Sequence, residues 1–111
     1  MNRKFIKKIK ECIEKDKLEE AQNFIDDLIS SLNEDYKNEF YHECLYLLGI
    51  INTKKFSSTG SNQFSNEART YFTSANNYYL AIHNKNSVNY LEAIQYTENA
   101  YRFKNIKIIN S

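Results

Sequence analysis

Glu39 and His42 come nearest to chemistry in this chain. A Glu-x-x-His pair is half of the ligand set that carboxylate-bridged di-iron bundles use. Those sites need a second such pair and two more inward carboxylates. No second Glu-x-x-His occurs here, and the bland reading is a surface pair. His42-x-Cys44, with Cys12 and His83, could be drawn as a zinc set. Positions 42 and 44 point to different faces of a helix, and no paired ligand spacing supports the set. A Cys–His nucleophilic pair lacks any motif for an orienting residue or an oxyanion hole. With two glycines in the whole chain, there is no phosphate-cradling loop either. The sequence therefore predicts no catalytic residue, no metal ligand, no cofactor site and no enzyme.

What the sequence does carry is helical patterning. Phe64, Ala68, Tyr71, Ala75, Tyr78 and Ile82 recur in steps of 4, 3, 4, 3 and 4, which aligns them on one stripe of a helix. Proline is absent, and nine tyrosines and seven phenylalanines stand among 111 residues. These features predict a single all-α domain over residues 1–111, with about five antiparallel helices. The spacing places the helices at 2–14, 17–32, 35–53, 64–83 and 87–103. In the first, Phe5, Ile9 and Cys12 form the stripe and Ile6 and Ile13 widen it. Asp16 and Glu19 resemble a capping box for the second, whose apolar positions are Leu18, Ala21, Ile25, Leu28 and Leu32. Asn33, Glu34 and Asp35 are the capping candidates for the third. That helix is apolar around more than half its circumference, which predicts a central position. Gly49 within it costs about 1 kcal/mol relative to Ala, and close helix approach is the expected reason for it. Residues 54–63, rich in Ser, Thr, Gly and Asn, read as the one clear loop. Residues 104–111 fit either a helix extension or an extended tail.

The longest apolar run, 45–51, falls far short of the roughly 18 residues of a membrane span. Arg3, Lys4, Lys7, Lys8 and Lys10 interrupt the N-terminus and leave no apolar signal core. A cytoplasmic location follows as the expectation, with Cys12 and Cys44 as small buried hydrophobes in a reducing compartment. The net charge of +1 hides a segregation: residues 1–15 carry +4, residues 16–43 carry −7 and residues 44–111 carry +4. Such polarity steers charged partners. Its bland counterpart is a basic helix lying beside an acidic one, with charges paired across their seam.

Two stretches resemble tetratricopeptide-type helical hairpins. Ala68, Phe72 and Ala75 match the small-large-small spacing of that repeat's second helix, and Ala21, Ile25 and Leu28 match it loosely. Leu45, Leu48 and Gly49 match its first helix. The 47-residue separation of Ala21 and Ala68 departs from the 34-residue period, as do the long loop and the missing proline. The resemblance implies a scaffold that holds peptides or proteins in a concave groove. An ordinary helical bundle with alanines at close crossings is the other reading.

Together these observations describe a module that binds another protein. In its most concrete form it is a small inhibitor of the immunity type, covering a partner such as a basic toxin or nuclease. Asp26, Asp27, Glu34, Asp35 and Glu39 would form the acidic belt, and Tyr36, Phe40 or Tyr41 would be the anchors. The sequence also fits two rivals. One is a self-assembling protein whose exposed tyrosines form a homodimer seam, Tyr36, Tyr46 and Tyr79 lying beside the main stripe. The other is a nucleic-acid accessory protein using the basic termini, although a pI near 7.7 is low for one.

Overall fold

A computed structural model describes residues 2–33, 38–82 and 91. Among them are four helices and no strand: α1 (Asn2–Glu14), α2 (Leu18–Ser31), α3 (Glu39–Thr59) and α4 (Asn62–Ile82). The expected fifth helix at 87–103 and the ambiguous 104–111 segment lie outside the described residues, apart from Leu91. None of the described helices is long and apolar enough to cross a membrane.

In α1 the buried stripe is Ile6, Ile9 and Ile13, with Phe5 and Cys12 half-buried beside it. The stripe is thus centred one position from its expected place, because three isoleucines at steps of 3 and 4 are the better core surface. The α1–α2 turn also differs from expectation. Asp16 caps nothing; it takes the left-handed conformation, φ 61°, just past the end of α1. Its N–H donates to the Ile13 carbonyl, and the Lys17 N–H donates to that of Cys12. These two bonds satisfy carbonyls that the end of α1 would otherwise leave open, in the Schellman pattern. Asp tolerates this backbone better than most non-glycine residues. α2 then begins without a side-chain cap hydrogen bond. Its first-turn acids, Glu19 and Glu20, favour the helix dipole instead.

The cap of α3 is Asn38, not a residue of 33–35: its side chain accepts the Phe40 N–H at 2.8 Å. Residues 54–59, read above as loop, continue α3. Phe56 is the reason, since it is buried one turn beyond Asn52 and extends the inward face. The polar residues that suggested a loop are absorbed by the helix: the hydroxyls of Thr53, Ser58 and Thr59 donate to carbonyls three or four residues back. The chain reverses only at Gly60, φ 70°, whose N–H donates to the Phe56 carbonyl at 2.7 Å. A left-handed residue is required there, and glycine adopts it without a Cβ penalty.

Side-chain pairs set the packing. Cys12 approaches Glu20, and Lys8 lies over the Phe24 ring, so α1 and α2 are antiparallel. Tyr46 meets Phe72 and Lys55 covers Phe64, so α3 and α4 are antiparallel too. Among the described residues α3 is the helix in contact with the other three, the central role its pattern predicts. One face of it (Cys44, Leu47, Leu48 and Ile51) joins the isoleucines of α1 and Ala21, Ile25 and Leu28 of α2 in the main core. Each of the larger aliphatic side chains contributes about 1.5–3 kcal/mol by leaving water. The opposite face meets α4 through Gly49 and Ile50, against Ala68 and Phe72. A β-carbon on Gly49 would stand 2.5 Å from Cδ1 and 2.8 Å from Cζ of Phe72. The glycine is therefore kept for the close approach of α4. The inward face of α4 is Ser65, Ala68, Phe72 and Ala75, with Phe64, Tyr71 and Tyr78 half-buried at its edges.

Candidate functional site: the charged faces of α1 and α2

Glu39 and His42 turn out to face different neighbours. Glu39 accepts Arg3 of α1 at 3.3 Å. The His42 ring stacks on Tyr78 of α4, centroids 3.8 Å apart and planes within 9°. Tyr41 meets the same imidazole edge-on at 5.2 Å. Burial raises the Tyr78 phenol pKa, and the Glu39 carboxylate adds to the shift. Cys44 lies on the other side of α3, in the main core, where burial and then Glu43 push its thiol up to about 12. A thiol so far from ionisation is neither a nucleophile nor a ready ligand at neutral pH. Both cysteines are free, Cys12 being half-buried. Among the described residues no three His, Cys, Asp or Glu side chains converge on a metal position. His83 lies outside the described residues.

The expected acidic belt is spread over two places. Asp26 and Asp27 are exposed on α2. The Asp26 charge reaches Tyr71 of α4, whose phenol pKa is raised by burial first, then by Glu67 and Asp26. Tyr71 neighbours Phe72, which packs on Gly49, so Asp26 stands level with the middle of α3. Glu39, Phe40 and Tyr41 occupy the first turn of α3, about ten residues or roughly 15 Å away along its axis. There Arg3 lies over the Phe40 ring at 4.9 Å while it binds Glu39. The structure therefore brings Glu39, Phe40 and Tyr41 together and leaves Asp26 and Asp27 apart from them. Glu34, Asp35 and Tyr36 lie outside the described residues.

The segregated charge does not cancel across the α1–α2 seam. The α1 cations that form ion pairs reach α3: Arg3 to Glu39 and Glu43, and Lys10 to Glu43 at 3.4 Å. Among the described residues Lys4, Lys7 and Lys8 on α1 form no ion pair, and neither do Glu19, Glu20, Asp26 and Asp27 on α2. All seven are exposed. α1 thus presents a basic ridge and α2 an acidic one. Beside the acidic ridge, Glu19, Gln22, Asn23 and Lys55 line an open groove of about 440 Å³. Lys55 is turned onto Gln22 at 3.3 Å and over the Phe64 ring, so it leaves the acids uncompensated.

Glu19, Glu20 and Tyr71 are not among the binding residues expected from the sequence. The signal for the two acids was there: Glu19–Asp26 and Glu20–Asp27 are both seven residues apart, two turns of one helix face. Tyr46, expected beside the main stripe, is half-buried and packs against Phe72 and Ala75. Tyr79 is helical, and Tyr36 lies outside the described residues. No family model, curated protein or solved structure matches this chain.

Proposed function

We propose that this chain is a non-enzymatic protein-binding module of helical-hairpin, tetratricopeptide-like architecture. In its most concrete form it is an inhibitor that covers a basic partner, as an immunity protein covers a toxin. The observation that supports this reading is the acidic ridge of Glu19, Glu20, Asp26 and Asp27, exposed and without an ion pair among the described residues. An uncompensated ridge of one sign attracts an opposite surface and speeds its encounter. The half-buried Tyr71 beside it offers the amphipathic ring that interface centres favour. Glu39, Phe40 and Tyr41 form a second patch, in which Arg3 already balances the carboxylate.

The test starts with capture of partners from native lysate by the tagged protein, with mass spectrometry of what is retained. Its affinity for the captured partner is then measured as salt is varied. Charge reversal at Asp26 and Asp27 should weaken binding at least tenfold and flatten its salt dependence. A partner bound equally well by the reversed protein removes the acidic ridge from the site.

A further inference from the structure

The two ridges are complementary to each other, yet a single chain does not join them. Lys4, Lys7 and Lys8 on one side, and Glu19, Asp26 and Asp27 on the other, are exposed and form no ion pair among the described residues. The basic ridge from Lys4 to Lys8 runs about one helical turn, roughly 6 Å, and the acidic ridge from Glu19 to Asp27 about two, roughly 12 Å, so every charge of the basic ridge can meet the acidic one. The basic ridge also has relief. Arg3, Lys4, Lys7 and Lys10 surround an open recess of about 320 Å³ with Ile6 among its lining residues. Lysine stems give such a recess apolar walls and a charged rim, which suits a carboxylate side chain on its own short stem. With a formal net charge of +1, copies of the chain do not repel one another as whole molecules.

From this complementarity we propose that a second copy of this chain docks its acidic α2 ridge on the basic α1 ridge of the first. Taken once per pair, the contact is head-to-tail and leaves one ridge of each sign free for further copies; taken reciprocally, α2 of each copy on α1 of the other, it closes a twofold dimer. It also hides the α2 ridge, so a basic partner that takes this ridge disperses the assembly. That last step alone rests on the function proposed above; the self-contact does not.

The test uses the full chain by itself, treated with nuclease, in sedimentation velocity at rising concentration. At about 0.01 M salt, where screening reaches ~30 Å, the mean mass should climb with concentration; at about 1 M, where it reaches ~3 Å, the protein should be monomeric. Two variants supply the decisive comparison. One carries Lys4→Glu, Lys7→Glu and Lys8→Glu; the other carries Glu19→Lys, Asp26→Lys and Asp27→Lys. Each should be monomeric alone in low salt, with self-affinity at least tenfold weaker than the parent. Mixed in equal amounts they should associate again, because every α1 then finds an α2 of opposite sign. All six positions are exposed, and circular dichroism checks that both variants keep their helices. A parent that stays monomeric in low salt overturns the proposal. So does assembly lost on nuclease treatment, which assigns the basic ridge to nucleic acid, and so does a mixture that fails to associate.

Discussion

Replacing Gly49 by Ala sets two physical effects against each other. In an exposed helix the change stabilises by about 1 kcal/mol, through propensity alone. Here the new methyl meets the Phe72 ring, 2.5 Å from Cδ1 and 2.8 Å from Cζ. Carbon atoms rest about 3.5–4.0 Å apart, so ring and methyl must separate by about 1 Å. Phe72 is 1% exposed and has no solvent to turn into. The movement then falls on the α3–α4 spacing, and an insertion of this kind costs about 1–3 kcal/mol. Taking the upper part of that range and subtracting the propensity gain leaves a net loss of about 1–2 kcal/mol. Urea unfolding followed by circular dichroism should show a lower midpoint with an unchanged slope. Thermal unfolding should show a drop of about 4–8 °C. The same substitution in a Phe72→Leu background should cost at least about 1 kcal/mol less, because the ring edge is gone. A Gly49→Ala protein as stable as the parent, or a cycle with no coupling, would refute the close approach of α3 and α4.

Four further outcomes are expected. Asn38→Ala removes the side-chain acceptor of the Phe40 N–H and should cost about 1 kcal/mol in a urea titration, with Asn38→Gly costing only a few tenths. Asp16→Gly relieves the left-handed backbone at φ 61° and should raise the unfolding free energy by up to about 1 kcal/mol, whereas Asp16→Val should lower it, both read from urea titrations. The raised Cys44 thiol predicts a pH effect of definite sign. The unfolded thiol ionises near 9.0 and the folded one near 12, so the unfolded state loses its proton first and stability falls as pH rises through that window. Cys44→Ala should flatten this slope in unfolding curves taken from pH 8 to 11, and an unchanged slope would assign the effect to other groups. Native alkylation at neutral pH should label half-buried Cys12 before Cys44.

The helices were legible wherever apolar spacing and breakers agreed. α1 and α2 lie within a residue of their expected bounds, and the central role of α3 follows from its apolar circumference. Local composition and tertiary packing disagree at two places. Ser57, Ser58 and Thr59 look like loop residues, yet their place is decided by Phe56, whose burial is a long-range event that no window of neighbours contains. Asp16 shows the same limit at short range. An aspartate before a helix can accept a cap hydrogen bond or take a left-handed turn, and here the carbonyls ending α1 chose the second. For the candidate site, the sign of each charged face was visible in the sequence. Which charges neutralise one another was not: Arg3 finds Glu39 and Glu43 across 36 and 40 residues of chain, leaving α2 uncompensated.

The central place of α3 has a consequence for how the protein emerges during synthesis. Its first face completes the main core with α1 and α2, so by about residue 59 a nascent chain holds every buried side chain of that core. α4 arrives afterwards onto a surface already shaped to receive it, with Gly49 as the seat for Phe72. Growth is thus layer upon layer, each hairpin built from neighbours in the chain, and such local order folds quickly. Among the described residues, a truncation after Gly60 keeps every buried side chain of the first core and loses only the half-buried Tyr71 packed against it, whereas removing α1 strips Ile6, Ile9 and Ile13 from it and exposes the inner side of α3.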